Sequence, residues 1–296
     1  MKTPLFVGAC TALVTPFRSG KIDLCMLEQL LQRQMDAGIG AIVLSGTTGE
    51  SPNLSTEEKL SPFRHAHQFV GPGCTILAGT GSNSTQKAIS LSRHAEEAGA
   101  DGLLVVSPYY NKATNEGLYA HYRAIASAVH IPIILYNVPS RTGVDIPVTV
   151  YRQLAEIPNI IGVKEASTDI TKIVKIRATC PDDFYVWSGN DELTVPIISL
   201  GGKGVISVTS NVVPMQMQAM AHAALAGQFR TAAQLQMQLF PLMELMFCQV
   251  NPIPVKAAMK LLDYDCGSCR LPLTDLPEEY TEKLKRLLLK ESGRLY

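Results

Sequence analysis

The sequence predicts an α/β protein, a (β/α)8 TIM barrel followed by a C-terminal helical extension. Three observations support this class: a recurrent join between a helix end and a buried strand, a total of eight short apolar strands, and helical segments between most of them. Strands that alternate with helices favour parallel βα units. The length of 296 residues suits a single barrel of this kind.

The helix-to-strand join occurs three times, in segments 36–44, 97–106 and 199–206. Each copy has glycine near the expected helix end, where a left-handed residue is common. The apolar run that follows does not alternate with polar residues, which is typical of a parallel strand buried on both faces. The three segments therefore predict the second, fourth and eighth strands.

Five further apolar runs complete the predicted strands, at residues 9–14, 75–78, 131–136, 160–164 and 184–187. One helix is predicted to begin at Ser55, because Glu58 stands at the spacing of a capping box. Another is predicted over residues 85–98, where apolar positions recur at helical spacing. A dinucleotide-binding sheet is the competing interpretation, but its Gly-x-Gly-x-x-Gly turn after the first strand is missing.

From Pro214 onward, the chain is rich in Ala, Met, Gln and Leu and has little strand signal. We predict helices packed beside the barrel, interrupted at Pro252, Pro254 and Pro272. The predicted division is thus a barrel at residues 1–213 and a helical region at residues 214–296. The methionines of this region are expected to fill core or interface space.

Composition excludes several classes of protein. The net charge is zero and the pI about 7, so no long-range field would attract nucleic acid or an anionic membrane. The start of the chain lacks the pattern of a signal peptide, and apolar stretches are too short to span a bilayer. Seven scattered cysteines favour reduced thiols. We therefore expect a cytoplasmic protein that binds neither nucleic acid nor membrane.

No metal site is expected from the histidines or cysteines. Cys266 and Cys269 form one C-x-x-C pair, but a zinc ribbon needs a second pair and a thioredoxin-like motif needs another context. His65 and His67 are two residues apart, so they do not share a helix face. Structural or solvated side chains are the favoured interpretation.

Active residues of such barrels lie where the strands end. Lys164 ends the apolar run 160–164, and burial there would favour the neutral amine, a nucleophile able to form a Schiff base. A lysine that merely reaches water is equally compatible with this segment. Tyr136 ends the preceding strand and is a possible proton carrier, or else a core tyrosine. Arg141, in the following loop, is suited to a carboxylate, or is simply solvated.

Two other strand ends carry polar residues. After the second strand, Thr47 and Thr48 stand between two glycines, and exposed N–H groups and hydroxyls of such a turn suit a small carboxylate. The Gly-Lys-Ser/Thr ending of a P-loop is missing, and an ordinary turn is the simpler alternative. After the fourth strand, Tyr109 and Tyr110 are adjacent; one could face the site while the other packs at an interface, or both are structural.

Together these motifs closely resemble those of the dihydrodipicolinate synthase (4-hydroxy-tetrahydrodipicolinate synthase) family, within the class I pyruvate-dependent aldolases. The likeness extends from about Gly8 to about Pro272 in the expected order. It is carried by segments 46–51, 108–111, 136–143, 162–166, 188–191, 204–208 and 251–256.

The resemblance implies condensation of pyruvate with L-aspartate-4-semialdehyde, in diaminopimelate and lysine biosynthesis. It implies Lys164 as the Schiff-base lysine and Tyr136 as proton donor and acceptor, in a relay with Thr47 and Tyr110. It also implies substrate binding by Thr48, Arg141, Gly189 and the backbone at Ile206. No metal or organic cofactor is implied. Because the family's relay tyrosine comes from a neighbouring subunit, the resemblance implies a homo-oligomer, usually a tetramer built from tight dimers.

One set of residues departs from the family pattern. Many bacterial members are inhibited by lysine bound near Ser51, Asn83 and Tyr109, where an acidic residue contacts the effector's amine. Here that acidic position is Lys87, and Lys59 replaces a common histidine. Two cations should repel an ammonium group, so weak or absent lysine feedback is predicted.

Two alternative functions remain open from the sequence. One is another pyruvate aldolase of the superfamily, an N-acetylneuraminate lyase or a 2-keto-3-deoxy-sugar-acid aldolase, which would differ in the aldehyde partner. The combination of Arg141 and Tyr110 favours the semialdehyde over sugar acids. The other is a non-catalytic effector-binding barrel, which the intact set of Lys164, Tyr136, Thr47 and Arg141 disfavours.

Overall fold

The computed structural model describes the backbone of residues 1–291 and the side chains of residues 1–289. Its strands are β1 (Gly8–Ala12), β2 (Phe17–Arg18), β3 (Lys21–Ile22), β4 (Ala41–Leu44), β5 (Thr75–Gly79), β6 (Gly102–Val106), β7 (Ile133–Asn137), β8 (Ile160–Glu165), β9 (Tyr185–Ser188) and β10 (Gly204–Ser207). Eight of them close a parallel barrel in the order β1-β4-β5-β6-β7-β8-β9-β10, with β10 pairing back to β1. The remaining two, β2 and β3, form a short antiparallel hairpin.

Helices cover the outside of this barrel. They are α1 (Leu24–Asp36), α2 (Thr56–Val70), α3 (Thr85–Glu97), α4 (Asn115–Ala126), α5 (Pro139–Thr142), α6 (Val148–Leu154), α7 (Ile170–Thr179), α8 (Thr194–Ser199), α9 (Pro214–Leu225), α10 (Phe229–Leu245), α11 (Ile253–Leu261) and α12 (Glu278–Glu291). In the part of the chain that is described, none of these helices has the length and apolarity needed to cross a bilayer.

The predicted fold class is confirmed, and each of the eight predicted strands corresponds to a barrel strand. The predicted and observed strands differ only in where they begin and end. The run at 131–136 becomes β7 only from Ile133, because Pro132 has no N–H to donate to a ladder. The same strand continues one residue further, to Asn137, and β8 likewise continues to Glu165.

Both predicted helix starts are confirmed by their caps. Ser55 precedes α2; its hydroxyl accepts from the N–H of Glu58, and the Glu58 carboxylate accepts from the N–H of Ser55. This reciprocal pair satisfies two donors that a helix start would otherwise leave unpaired. Ser84 caps α3 by accepting from the N–H of Lys87.

The helical region after Pro214 begins with a helix that belongs to the barrel wall. In α9, the Gln218 side chain accepts from the Ala9 N–H and donates to the Gly38 carbonyl, both at 2.7 Å. The pieces that follow are α10, α11 and α12. Pro252 stands just before α11 and Pro254 in its first turn, where a missing N–H costs little. The division at 213/214 stays a prediction, and residues 292–296 lie outside the described part.

The core has two layers that follow the alternation of each strand. Outward residues pack against the helices, and inward residues fill the barrel. Trp187 is fully buried inside, where its ring stacks on Phe6 with centroids 5.1 Å apart. On β7 and β8, the inner layer includes Tyr136, and the residues that face outward at the strand ends reach α6 and α7.

Candidate active site

Lys164 and Tyr136 are neighbours on two paired strands. They are register partners of β8 and β7, and both point into the barrel near its carboxyl end. The Lys164 Nζ lies 4.4 Å from the centre of the Tyr136 ring. Lys164 is only 5% exposed, and among the side chains of residues 1–289 it has no carboxylate within ion-pair distance. A buried amine without a counter-ion beside a phenol is an arrangement suited to carbonyl chemistry.

A cavity of about 170 Å³ opens above this pair. Strand ends from most of the barrel contribute to its wall, including Ala12 of β1, Val43 of β4 and Leu104 of β6. The predicted site residues that line it are Thr47, Thr48, Tyr136, Arg141, Lys164 and Gly189. The barrel thus brings together six residues that are far apart in the sequence.

Gly189 is required where the chain leaves β9. A Cβ at this position would lie 2.6 Å from the Cβ of Ala166, so any larger residue would displace the end of β8. The Gly189 N–H also donates to the carbonyl of Glu165 at 2.7 Å. This close approach fixes the position of the backbone beside the cavity.

The turn with the two threonines is the opposite wall of the cavity. Ser45 and Glu50, at its two ends, have positive φ values of 52° and 56°, a strained conformation for residues with a side chain. Thr48 is buried, and its hydroxyl oxygen accepts from the Asn251 Nδ2 at 3.0 Å. Because that oxygen is already an acceptor, its own proton is available for a ligand in the cavity.

Residues from the C-terminal region hold this turn in place. The Glu50 carboxylate is fully buried, pairs with the Lys256 Nζ at 2.7 Å, and accepts from the Arg270 N–H at 2.8 Å. The Arg270 guanidinium in turn pairs with Glu58 at 2.6 Å and keeps the pKa of that carboxyl at about 2. Glu50, Lys256, Arg270 and Asn251 had no predicted role of their own, and Glu58 was predicted only as the capping partner of Ser55. The motif at 251–256 was the available signal.

Asn251 also lines the cavity, and its Oδ1 is buried with no hydrogen-bond partner among residues 1–291. A buried carbonyl oxygen of this kind costs free energy unless a donor reaches it. Asn251 therefore offers an acceptor to a ligand that carries an N–H or O–H group.

Arg141 lies on α5, at the mouth of the cavity. It also lines a second, adjoining cavity of about 240 Å³, whose wall includes Ser51, Lys59 and Tyr109. Burial lowers the pKa of Lys59. No acidic side chain of residues 1–289 lines either cavity, so both favour anionic ligands.

Four predicted residues do not line either cavity. Tyr110 projects into solvent with 91% exposure and a φ of 71°. Ile206 is fully buried two residues before Val208, the β10-side residue that does line the first cavity. Asn83 accepts from the Asn111 side chain through its carbonyl, and Lys87 is in the first turn of α3. Their predicted roles stay predictions.

The two cysteines of the C-x-x-C pair lie near the threonine turn, but their thiols are unreactive. Burial raises the pKa of Cys266 to about 12 and that of Cys269 to about 11. Both thiols therefore stay protonated at neutral pH and are poor nucleophiles. In the described residues, no cluster of three or more His, Cys, Asp or Glu side chains is arranged to bind a metal ion.

Comparisons with known proteins agree on one family. The model of the dihydrodipicolinate synthetase family matches residues 5–291. The 4-hydroxy-tetrahydrodipicolinate synthase of Acetivibrio thermocellus is 44% identical over 288 residues, which cover 97% of this chain and 98% of the relative.

Solved structures give the same result. Dihydrodipicolinate synthase from Aquifex aeolicus is 43% identical, covers 98% of this chain and 99% of its own, and superposes with a TM-score of 0.96. The enzyme from Cyanidioschyzon merolae, solved with lysine bound, is 38% identical over 98% of this chain and 99% of its own, with a TM-score of 0.95.

Proposed function

The chain belongs to the dihydrodipicolinate synthetase family, and from that membership and the cavity we propose that it condenses pyruvate with L-aspartate-4-semialdehyde. The product is 4-hydroxy-tetrahydrodipicolinate, so the chain is a lyase of diaminopimelate and lysine biosynthesis. The observation that carries the proposal is the buried Lys164 amine beside Tyr136, at the base of a cavity that Arg141 and the threonine turn also line.

The first step joins pyruvate to the protein. The neutral Lys164 amine adds to the keto carbon of pyruvate, and water leaves, which forms an imine. Once protonated, the imine nitrogen withdraws electrons from the adjacent methyl group. Tyr136 is close enough to take a methyl proton and to return protons in later steps. The resulting enamine is a carbon nucleophile.

The second step uses the semialdehyde. The enamine carbon attacks its aldehyde carbon, and the aldehyde oxygen gains a proton to become the 4-hydroxyl group. The amine of the semialdehyde then adds to the imine carbon and displaces Lys164, which closes the ring and regenerates the free enzyme. The balance is one pyruvate and one semialdehyde to one product and one water, so the protein's own amine supplies the electron sink.

The polar groups around the cavity account for the choice of substrates. The Thr47-Thr48 turn is suited to the pyruvate carboxylate, because it lines the cavity and the Thr48 hydroxyl, which accepts from Asn251, still has its own proton to donate. Arg141 at the mouth is suited to the second carboxylate. The unpaired Asn251 Oδ1 offers an acceptor for the semialdehyde amine.

A comparison of substrates tests this function. Purified protein with pyruvate should convert L-aspartate-4-semialdehyde at least about 100-fold faster, in kcat/KM, than it cleaves N-acetylneuraminate or a 2-keto-3-deoxy-sugar acid. Arg141→Ala should remove most of this preference. Equal or better turnover of a sugar acid would refute the assignment. Borohydride reduction with pyruvate should add the mass of the reduced adduct to Lys164, whereas a non-catalytic barrel would remain unmodified.

We also propose a homo-oligomer in which Tyr110 enters the site of a neighbouring copy. The support is its exposure at a strained backbone position, outside either cavity of its own chain. Mixing the inactive variants Tyr110→Phe and Lys164→Ala should restore part of the activity, because some hybrid sites would then receive both wild-type residues. No recovery after exchange of subunits would place Tyr110 in its own site or outside the reaction. We further propose that the protein works in the cytoplasm, consistent with its free cysteines.

Weak or absent lysine feedback is the last part of the proposal. Lys59 lines the second cavity without a carboxylate partner among the side chains of residues 1–289. An ammonium group of a ligand would therefore find no counter-ion in this cavity, and protonated Lys59 would repel it. We expect less than 20% inhibition at about 1 mM lysine, and a gain of inhibition in Lys59→His/Lys87→Glu. Inhibition of the unmodified protein at micromolar lysine would contradict it.

A further inference from the structure

Directly behind Lys164 lies a buried charged group that the reaction itself does not use. Glu165 follows Lys164 on β8, and because side chains alternate along a strand it faces outward, toward α6 and α7. It is fully buried. A buried carboxylate is costly unless it is paired and hydrogen-bonded, so its partners must be accounted for.

Four donors surround this carboxylate. Its Oε1 accepts from the Asn137 Nδ2 at 2.8 Å and from the Ser167 N–H at 2.9 Å. Its Oε2 accepts from the Tyr151 hydroxyl at 3.0 Å and lies 3.5 Å from the Lys172 Nζ. Burial, and then the charge of Glu165, raises the pKa of Tyr151 far above its ordinary value, so its phenol stays a donor.

One of these hydrogen bonds joins the two catalytic strands at the level of the site. Asn137 and Glu165 are register partners, each one residue beyond the partners Tyr136 and Lys164. Asn137 therefore ties β7 to β8 on the outer face at the place where Lys164 and Tyr136 meet on the inner face. This hydrogen bond therefore restrains the backbone of the two strands where Lys164 and Tyr136 are attached.

The Asn137 side chain also contacts the segment that follows α5, the short helix that carries Arg141. Asn137 also donates to Asp145 at 2.8 Å and accepts from the Ile146 N–H at 3.0 Å. Lys172 pairs with Asp145 as well. Asn137, Asp145, Tyr151, Glu165 and Lys172 thus form one connected set, here named the Glu165 network, which anchors β7, β8 and the end of the intervening loop.

We propose that the Glu165 network is a positioning device for the reaction, with Glu165 and Tyr151 acting through Lys164 and Tyr136. This inference deepens the proposed function and rests on its Schiff-base chemistry. Proton transfer from the imine depends on the distance between Tyr136 and the pyruvate carbon held by Lys164. A small displacement there slows the reaction strongly, whereas the yield of trapped imine reports how much imine has formed and is less sensitive to the rate of proton transfer.

Tyr151→Phe is the variant that tests this proposal, because it removes one donor to Glu165 without changing charge or leaving a large void. Tyr122→Phe is the matched control. Tyr122 is equally buried, and its hydroxyl donates to the Val105 carbonyl at 3.4 Å, outside the Glu165 network. Asp145→Asn, at the exposed end of the network, is a second variant that keeps the buried residues intact.

Two measurements use pyruvate alone, so they do not depend on the aldehyde partner. The first is the yield of borohydride-trapped imine; the second is exchange of the pyruvate methyl protons in D2O, followed by NMR. We expect Tyr151→Phe to trap pyruvate like the wild type while exchanging at least about tenfold more slowly. Asp145→Asn should show a smaller loss in the same direction. Tyr122→Phe should match the wild type in both.

A double variant separates positioning from general loosening. In a Tyr136→Phe background, Tyr151→Phe should reduce the residual exchange rate less than about twofold, because the residue through which it acts is already gone. Equal exchange rates for Tyr151→Phe and Tyr122→Phe would overturn the inference, as would additive losses in the double variant. If the wild type neither traps nor exchanges pyruvate, the proposed function itself fails.

Discussion

The two walls of the cavity are held in different ways. Lys164 and Tyr136 stand on regular strands, paired in register, and their support comes from residues close in the sequence, such as Glu165 and Asn137. The threonine turn on the other side has two residues with positive φ and depends on residues about 200 positions later. The candidate reactive groups Lys164 and Tyr136 are thus built into the barrel, whereas the threonine turn depends on the C-terminal region.

The two walls differ because a strand and a turn restrict their side chains to different degrees. A regular parallel strand fixes the direction of a side chain through its pleat, so a lysine at a strand end has little freedom. A turn between glycines has many accessible conformations and needs additional contacts to select one. Asn251, Lys256 and Arg270 provide them here. The C-terminal region therefore stabilises the site as well as the barrel.

The largest expected effect is the loss of activity when Lys164, on the cavity wall formed by β7 and β8, is replaced. Lys164→Ala should lower kcat/KM at least about 1,000-fold, since no other amine can replace the nucleophile. A coupled assay with pyruvate and L-aspartate-4-semialdehyde measures it. Lys175→Ala, on the exposed face of α7, is the control and should be fully active. Substantial turnover by Lys164→Ala would mean that the reactive amine lies elsewhere.

The second largest effect concerns the threonine turn, which the buried ion pair between Glu50 and Lys256 holds in place. Lys256→Met leaves the Glu50 carboxylate buried without its partner, and the free energy of unfolding should fall by about 3–5 kcal/mol. Urea denaturation measures the change. The double variant Glu50→Gln/Lys256→Met should recover part of the loss. A double variant as unstable as Lys256→Met would show that the lost ion pair is not the cause.

A smaller effect should separate binding from chemistry. Thr48→Val removes the hydroxyl group of a residue that lines the cavity, and it leaves the Asn251 Nδ2 without this acceptor. We expect the KM for pyruvate to rise about tenfold, with kcat within about threefold, because a substrate-binding contact is lost and the amine remains. Thr194→Val, a buried threonine outside the cavity, should leave KM unchanged. A fall in kcat alone would give Thr48 a different role.

The smallest effect concerns the pH dependence of stability. The pKa of Glu58 is about 2 in the folded protein, mainly because of the Arg270 hydrogen bonds, against an ordinary value of 4.5. Because the folded pKa is depressed, the stabilisation is present above about pH 4.5 and is lost as the pH falls toward 2.

The variant Glu58→Gln lacks this titration. Its melting temperature should lie below that of the wild type by a constant amount above about pH 5, and the gap should narrow as the pH falls toward 3. Gln68→Ala, at an exposed position of the same helix that carries no titratable group, is the control, and its gap from the wild type should not change with pH. A gap that stays constant to pH 3 would contradict the depressed pKa of Glu58.

Much of the fold and part of the site were predictable from local patterns. Apolar runs without alternation predicted all eight strands, and the Ser55–Glu58 spacing predicted the start of α2. Placing site residues at strand ends selected Thr47, Thr48, Tyr136, Arg141 and Lys164, all of which line the cavity. Asn251 was missed, because it does not follow a strand. Its place in the segment 251–256 does not reveal that it contacts Thr48, about 200 residues earlier.

The sequence by itself determined the apolar runs that become the barrel strands and the polar residues that follow them, since both depend on neighbouring residues only. Tertiary structure alone decided which distant groups meet: Asn251 with Thr48, Lys256 with Glu50, and Glu165 with Tyr151 and Lys172. Such pairings depend on the closure of the barrel and on how the later helices pack against it. No local pattern encodes these distances, because each is set by the positions of elements far apart in the chain.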